Sequence, residues 1–219
     1  MTQEQCSIPD SLQETWTDLE KEVVWLHLHW NVYRELFAKS AERIALLDES
    51  GAVPFRVFHN VLVRDVILSL CRLTDPLESC GHENASLAQL VEAVRGGSWP
   101  DLLPQMESAF EELKAQCEPL RPLRNRVIAH RDLETVRNPD DNPLPGISRA
   151  NIEACLNALR RIMDTFHLFF TKGSVSYQCT EPQVEHLVNS LKQAVKYREL
   201  ERNGEIVRGR WTEGKHKDA

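Results

Sequence analysis

The sequence predicts an all-α protein, a bundle of about seven helices with long central members. Three observations carry this. Apolar residues recur at spacings of three and four over several long segments, no segment shows the strict alternation of a half-buried strand, and Gly and Pro clusters punctuate the periodic runs. At 219 residues, 42% hydrophobic and 27% charged, the chain is large enough for a sizeable core and has the composition of an ordinary soluble globule.

The first long segment places Leu12, Trp16, Leu19, Val23, Leu26, Trp30, Tyr33 and Phe37 on one seam. Trp25, Leu28, Val32 and Leu36 widen it, which predicts cover on more than one side, from the chain's own neighbours or from a second subunit. A helix over 41–49 should stop at Gly51 and Pro54. The next, 55–74, is apolar almost all round and reads as central and buried. Asp65, Ser69 and Arg72 share a face of it, so Asp65 either pairs with Arg72 or another interior arginine, or orients catalytic groups. Thr74-Asp75-Pro76 breaks that helix.

Ser86 and Gln89 read as a capping box for a short helix with Leu87, Leu90, Val91 and Val94 inside, stopped by Gly96 and Gly97. Leu103, Met106, Phe110, Leu113 and Cys117 mark another helix, after which Pro119 and Pro122 force a break and a restart. The Pro- and Asp-rich string 138–146 is expected to be a mobile loop. Ser148 then caps a helix that buries Ile152, Cys155, Leu156, Leu159, Ile162, Met163, Phe166 and Phe169, with Gly173 ending it. A final helix follows the Thr180–Gln183 capping box through Val184, Leu187, Leu191 and Val195 to Gly204. The expected division is a bundle over 1–172 and, over 173–219, a C-terminal helix with a basic, partly flexible tail. That tail is either a solvated helix face with a frayed end or a secondary phosphate-contacting arm.

Net charge is −7, which argues against a protein that coats nucleic acid by electrostatics alone, so any such contact must be local. No run approaches the roughly 20 apolar residues of a membrane span and no secretion signal is visible, which predicts a cytoplasmic address. The six cysteines, Cys6, Cys71, Cys80, Cys117, Cys155 and Cys179, read as reduced thiols. Cys80 with His82 lacks the second ligand pair of a structural zinc site, and His27 and His29 point to nearly opposite helix faces, so neither a metal nor a cofactor is expected.

One segment concentrates chemistry. Arg121-Pro122-Leu123-Arg124-Asn125-Arg126-Val127-Ile128-Ala129-His130-Arg131-Asp132 gathers four arginines, an asparagine and a histidine. An imidazole titrates near neutrality and passes protons, while a guanidinium stays charged and presents a planar fork that fits phosphate. Those groups suit phosphodiester chemistry without a metal. In the plainer reading, His130 is capped or packed and the arginines bond acids such as Asp132, Glu134 or Asp65.

Arg124, Asn125 and His130 fill the places of the R-[N/D/H]-x-H-type signature, and this string resembles that of the HEPN superfamily of helical nucleotide-binding and ribonuclease domains. The segments Leu28-His29-Trp30-Asn31-Val32-Tyr33-Arg34-Glu35-Leu36-Phe37, Leu73-Thr74-Asp75-Pro76 and Glu83-Asn84-Ala85-Ser86-Leu87 are similar to the AbiU-type abortive-infection branch, second subtype. The resemblance implies a helical bundle that forms a homodimer, with the signature helices facing each other across a cleft, and metal-independent cleavage of RNA as a toxin or phage-defence effector, restrained by an antitoxin or regulatory protein.

On that resemblance His130 is the acid or base and Arg124 the phosphate clamp. Asn125 positions substrate or the histidine. From the residues themselves, Arg126, Arg121 and Arg131 are further candidates for positioning substrate, and Asp65 for orienting the catalytic groups. Arg124 and His130 lie about 9 Å apart along a straight α-helix and about 120° apart around it, so a second copy would have to supply the missing group. Arg126 lies one turn before His130 and is the rival partner. The alternative function is a non-catalytic dimeric module that binds RNA, a nucleotide or a protein through the same cleft.

Overall fold

The computed structural model of the protein describes residues 7–129, 146–173, 175–177 and 181–206. Among them are six helices of ten residues or more: α1 (Asp10–Phe37), α2 (Ala41–Leu73), α3 (Leu87–Gly96), α4 (Leu103–Cys117), α5 (Arg149–Thr171) and α6 (Glu181–Arg202). After α4 the chain stays coiled through a 3-10 turn at Glu118–Leu120, one α turn at Arg121–Leu123 and a π segment at Arg124–Ala129. Pro119 and Pro122 therefore tighten and rephase the coil rather than open it, because each sits in the first turn of its piece, where the missing N–H costs no bond.

The all-α class stands. The described residues hold one small sheet, a hairpin pairing Glu78 with Glu83 and Ser79 with His82. Strands of two residues are too short to show alternation in a sequence. Its turn residues, Cys80 and Gly81, both have positive φ, 54° and 79°, as a tight type I′ turn requires.

The residues group into two compact units, one of Met1–Asn31 with Asn60–Cys179, the other of Val32–His59 with Thr180–Ala219. In the first, α1 buries Leu12, Trp16, Leu19, Val23, Leu26 and Trp30 along the predicted seam. Trp16 stacks on Phe166 of α5, ring centroids 4.8 Å apart. Trp25, expected to be covered by the chain's own neighbours or by a second subunit, is 58% exposed in the single chain, so its own neighbours do not cover it.

α5 begins as predicted, with a complete capping box: Ser148 Oγ accepts from the Asn151 backbone N–H, and the Asn151 side chain accepts from the Ser148 N–H. Its buried stripe matches the predicted one up to Phe166. One position at the end differs, since Phe170 is buried against Trp99 while Phe169 is exposed. α4 packs on α5 with Met106, Phe110, Leu113 and Cys117 inside. α3 buries the four predicted residues, but Ser86 makes no side-chain cap: its hydroxyl is buried without a partner, and Gln89 donates to the Leu77 carbonyl instead of returning to the cap.

In α2 the expected break appears as a kink at Gly51 inside one long helix, with Pro54 one turn later. The reading of 55–74 as buried all round holds only from Val66 onward, where Val66, Ile67, Leu70, Cys71 and Leu73 are inside; Val57, Phe58 and Val61 are each more than half exposed.

The second unit centres on Leu36, Leu47, Val184 and Val188, with Phe37, Leu46, Phe55 and Leu191 packed around them. Val188, not the neighbouring Leu187, joins Val184 among the buried residues of α6. Beside this core Glu185 accepts from Arg43 Nη2 at 2.8 Å and Lys39 Nζ at 3.0 Å, and those two hydrogen bonds draw its carboxyl down to about 2.

Candidate functional site: an arginine buckle on Asp75

Pro76 disfavours helical backbone for the residue before it, so α2 stops and Asp75 projects from its C-terminal end. A carboxylate there faces the negative pole of the helix and needs cations. Two arrive from the coil that follows α4. Arg121 Nη1 donates to Asp75 Oδ1 at 3.0 Å, and Arg124 Nη2 donates to Oδ2 at 3.0 Å.

Arg121 also donates through Nη2 to the Thr74 carbonyl at 2.9 Å and the Thr74 hydroxyl at 3.0 Å, while its Nε lies 3.6 Å from a Glu118 carboxylate oxygen. The Thr74 hydroxyl in turn donates to the Leu70 carbonyl at 3.0 Å, tying the last turn of α2 into the same network. Arg124 Nη1 donates to the Asn125 side-chain carbonyl at 3.0 Å, and its Nε is buried with no partner among the described residues. Each carboxylate oxygen thus takes one guanidinium, and the three charges lie largely out of water.

The neighbouring loop completes the frame. Asn84 Nδ2 donates to the Pro76 carbonyl at 2.8 Å, and Asn84 lines with Asp18, Glu22, Arg72 and Asp75 a cavity of about 320 Å³. Thus Leu73–Pro76, the 83–87 segment and the arginine run, which lie apart in the sequence, are brought together.

Not every expected residue joins them. Asp65 accepts from His29 Nδ1 at 2.7 Å rather than pairing with Arg72, which turns to Glu22 and Ser69. Asn125 and Arg126 are exposed, and among the described residues Arg126 has no hydrogen-bond or ion-pair partner. His130, Arg131 and the 138–145 part of the expected loop lie outside the described residues, as do Asp132 and Glu134, Thr180 of the expected cap, Cys6, Cys179 and the tail beyond residue 206. Because Arg124–Ala129 is π-coiled, with more residues per turn than an α-helix, the spacing argument based on a straight α-helix does not apply to it.

Three thiols back the buckle. Cys71, Cys117 and Cys155 are free and buried. Burial pushes Cys71 up to about 11, against the pull of Arg121 and Arg124, and Cys155 Sγ donates to the Gln116 carbonyl at 3.1 Å. A buried protonated thiol is not a nucleophile. Cys80 is exposed, and the described residues contain no cluster of three His, Cys, Asp or Glu placed to hold a metal ion. None of their helices is long and apolar enough to cross a membrane.

The family model described as AbiU2, of the HEPN type, matches residues 10–191. The chain belongs to the HEPN AbiU2 family. No curated protein and no solved structure matches it. The match takes in α1 to α5, the first half of α6 and the arginine run from Arg121 to Asp132. Within this HEPN chain the residues that sequence reasoning missed are Asp75 and Thr74, which it took for a helix break and a family likeness. The usable signal was chemical: an acid at a helix C-terminus requires a cation, and this chain has a cluster of them.

Proposed function

We propose that this HEPN AbiU2 protein is a metal-independent endoribonuclease of the abortive-infection type, acting as a homodimer under the restraint of an antitoxin or other regulatory protein. The observation that carries the reading is the anchored arginine run: a coil fastened to Asp75 leads directly into Ala129-His130, inside a chain matched to the family along most of its length. In the proposed reaction the ribose 2′-hydroxyl attacks the adjacent phosphorus. His130 takes up or returns the proton, and a guanidinium supports the charge on the phosphate oxygens, the role the family signature gives to Arg124. The 5′-oxygen leaves with a proton, giving a 2′,3′-cyclic phosphate and a 5′-hydroxyl.

The test is incubation with total cellular RNA in EDTA, with fragment ends determined. Wild-type protein should cut and leave cyclic phosphates, and His130→Ala should stay folded and not cut. Intact RNA with the wild type, or fragments bearing 5′-phosphates, would overturn the reading.

One observation favours a non-cleaving module that binds RNA, a nucleotide or a protein. Both terminal nitrogens of Arg124 already donate, Nη2 to Asp75 and Nη1 to Asn125, as those of a framework residue would. On that reading binding survives His130→Ala.

A further inference from the structure

We infer that Arg126 supplies the guanidinium that meets the RNA phosphate, and that Asp75 is the positioning residue that assigns it this task by reserving Arg124 and Arg121 for the frame. The inference rests on the RNA-directed reading above and refines which cation serves it.

A phosphate is held best by two parallel N–H donors on one edge of a guanidinium. Both two-donor edges of Arg124 include Nη2, which already donates to Asp75. Its Nη1 is committed to Asn125, and its Nε is buried. Arg121 is likewise used up, with Nη1 on Asp75 and Nη2 on both oxygens of Thr74. Freeing either would strand the half-buried Asp75 carboxylate at the negative end of α2.

Arg126 differs in every respect. Its side chain is exposed, it has no partner among the described residues, and it lies on the π segment four residues before His130. Recruiting it breaks no bond among the described residues. The buckle also fixes the coil from which Arg126 projects, because Arg121 and Arg124 bind the same carboxylate from either side of Leu123. Asp75 therefore sets the placement of Arg126 through the backbone, without touching it.

The test is fluorescence anisotropy of a labelled single-stranded 2′-O-methyl RNA 20-mer, which lacks the attacking hydroxyl and stays intact, titrated in EDTA over a range of KCl concentrations, with melting temperature measured in parallel. Arg126→Gln should melt with the wild type, bind roughly five- to tenfold more weakly, and lose about 0.7 from the slope of log affinity against log salt, the value of one phosphate contact on a single strand. Arg126→Lys should restore the slope, since charge sets it. Arg124→Gln and Asp75→Asn should lower the melting temperature.

If Arg126→Gln binds with wild-type affinity and slope, the inference is wrong. It is equally wrong if Arg124→Gln flattens the slope while melting normally. If the wild type itself binds no RNA at low salt, the functional reading falls and takes this inference with it. RNA binding and cleavage by the wild type with an indifferent Arg126 would leave that reading standing and overturn the inference alone.

Discussion

Asp75 Oδ2 and Arg124 Nη2 meet at 3.0 Å across 49 positions of sequence, and the other oxygen of the same carboxylate holds Arg121. The pair joins the end of α2 to the coil carrying the arginine run. Its side chains are 15% and 27% exposed, shielded enough for the bond to count and wet enough to moderate the cost of desolvation. Replacing Asp75 with Ala leaves two guanidiniums facing each other without their shared anion. The expected loss is about 2–3 kcal/mol, by the usual strength of charge-assisted hydrogen bonds, read as a lower urea midpoint at unchanged m-value. An unchanged midpoint would mean that the buckle does not hold the coil.

What could be read in the sequence and what could not divides along the range of the interactions. The capping box of Ser148 and Asn151 is local, and Ser148 was recognisable as a cap from its place before the periodic run. The seam from Leu12 to Trp30 was legible because one helix face repeats its burial over many turns. At helix ends the period has too few repeats to choose between neighbours. Hence Phe169 was expected inside where Phe170 is, and Leu187 where Val188 is. Ser86 matched the capping pattern as well as Ser148 did, but its hydroxyl faces the interior, which depends on tertiary packing. The links Asp75–Arg121, Asp75–Arg124 and His29–Asp65 span dozens of residues, and nothing in one chain's order fixes such partners. The arginine run stood out by composition alone. Its anchor did not.

The cap of α5 offers a local test of the fold. Ser148→Ala removes the acceptor for the Asn151 backbone N–H and leaves the Asn151 side chain without its hydroxyl partner. A loss of about 1 kcal/mol is expected, typical of an N-cap serine, and Ser148→Asp should recover most of it by accepting the same bond and favouring the positive end of the helix. Chemical denaturation of the three proteins decides the matter; equal stability of the Ala variant would show that the helix starts without help from its cap.

Thiol reactivity should sort by burial. Cys71 and Cys117 are fully buried; burial raises the Cys71 thiol to about 11, and a hydrogen bond with Cys155, together with burial, raises that of Cys117. Cys80 is exposed on the hairpin turn. Brief treatment of the native protein with iodoacetamide near pH 8, followed by peptide mass analysis, should label Cys80 well before Cys71 or Cys117, and denaturant should abolish the difference. Early labelling of Cys71 would contradict the packing of α2 behind the buckle.

His27 makes the stability of the first unit sensitive to pH. Its ring is buried, stacked on Tyr177 at 4.4 Å between centroids, and bonded through Nδ1 to the Val23 carbonyl at 2.8 Å. That carbonyl accepts, so Nδ1 carries the proton and Nε2 faces the interior with no partner among the described residues. Burial lowers the imidazole from 6.5 to about 4, reinforced by the positive charge of Arg160 and opposed by the bond to Val23 and by Glu153. The folded chain therefore binds this proton less readily than the unfolded chain. The stability associated with the neutral ring is complete above pH 6.5 and is lost as pH falls from there toward 4. At 1.36 kcal/mol per unit, the full loss is about 3 kcal/mol. Urea midpoints measured from pH 7.5 to 4.5 should fall for the wild type, and His27→Gln, less stable at neutral pH, should show a flatter dependence over that range. Parallel curves for the two proteins would mean that another group titrates there.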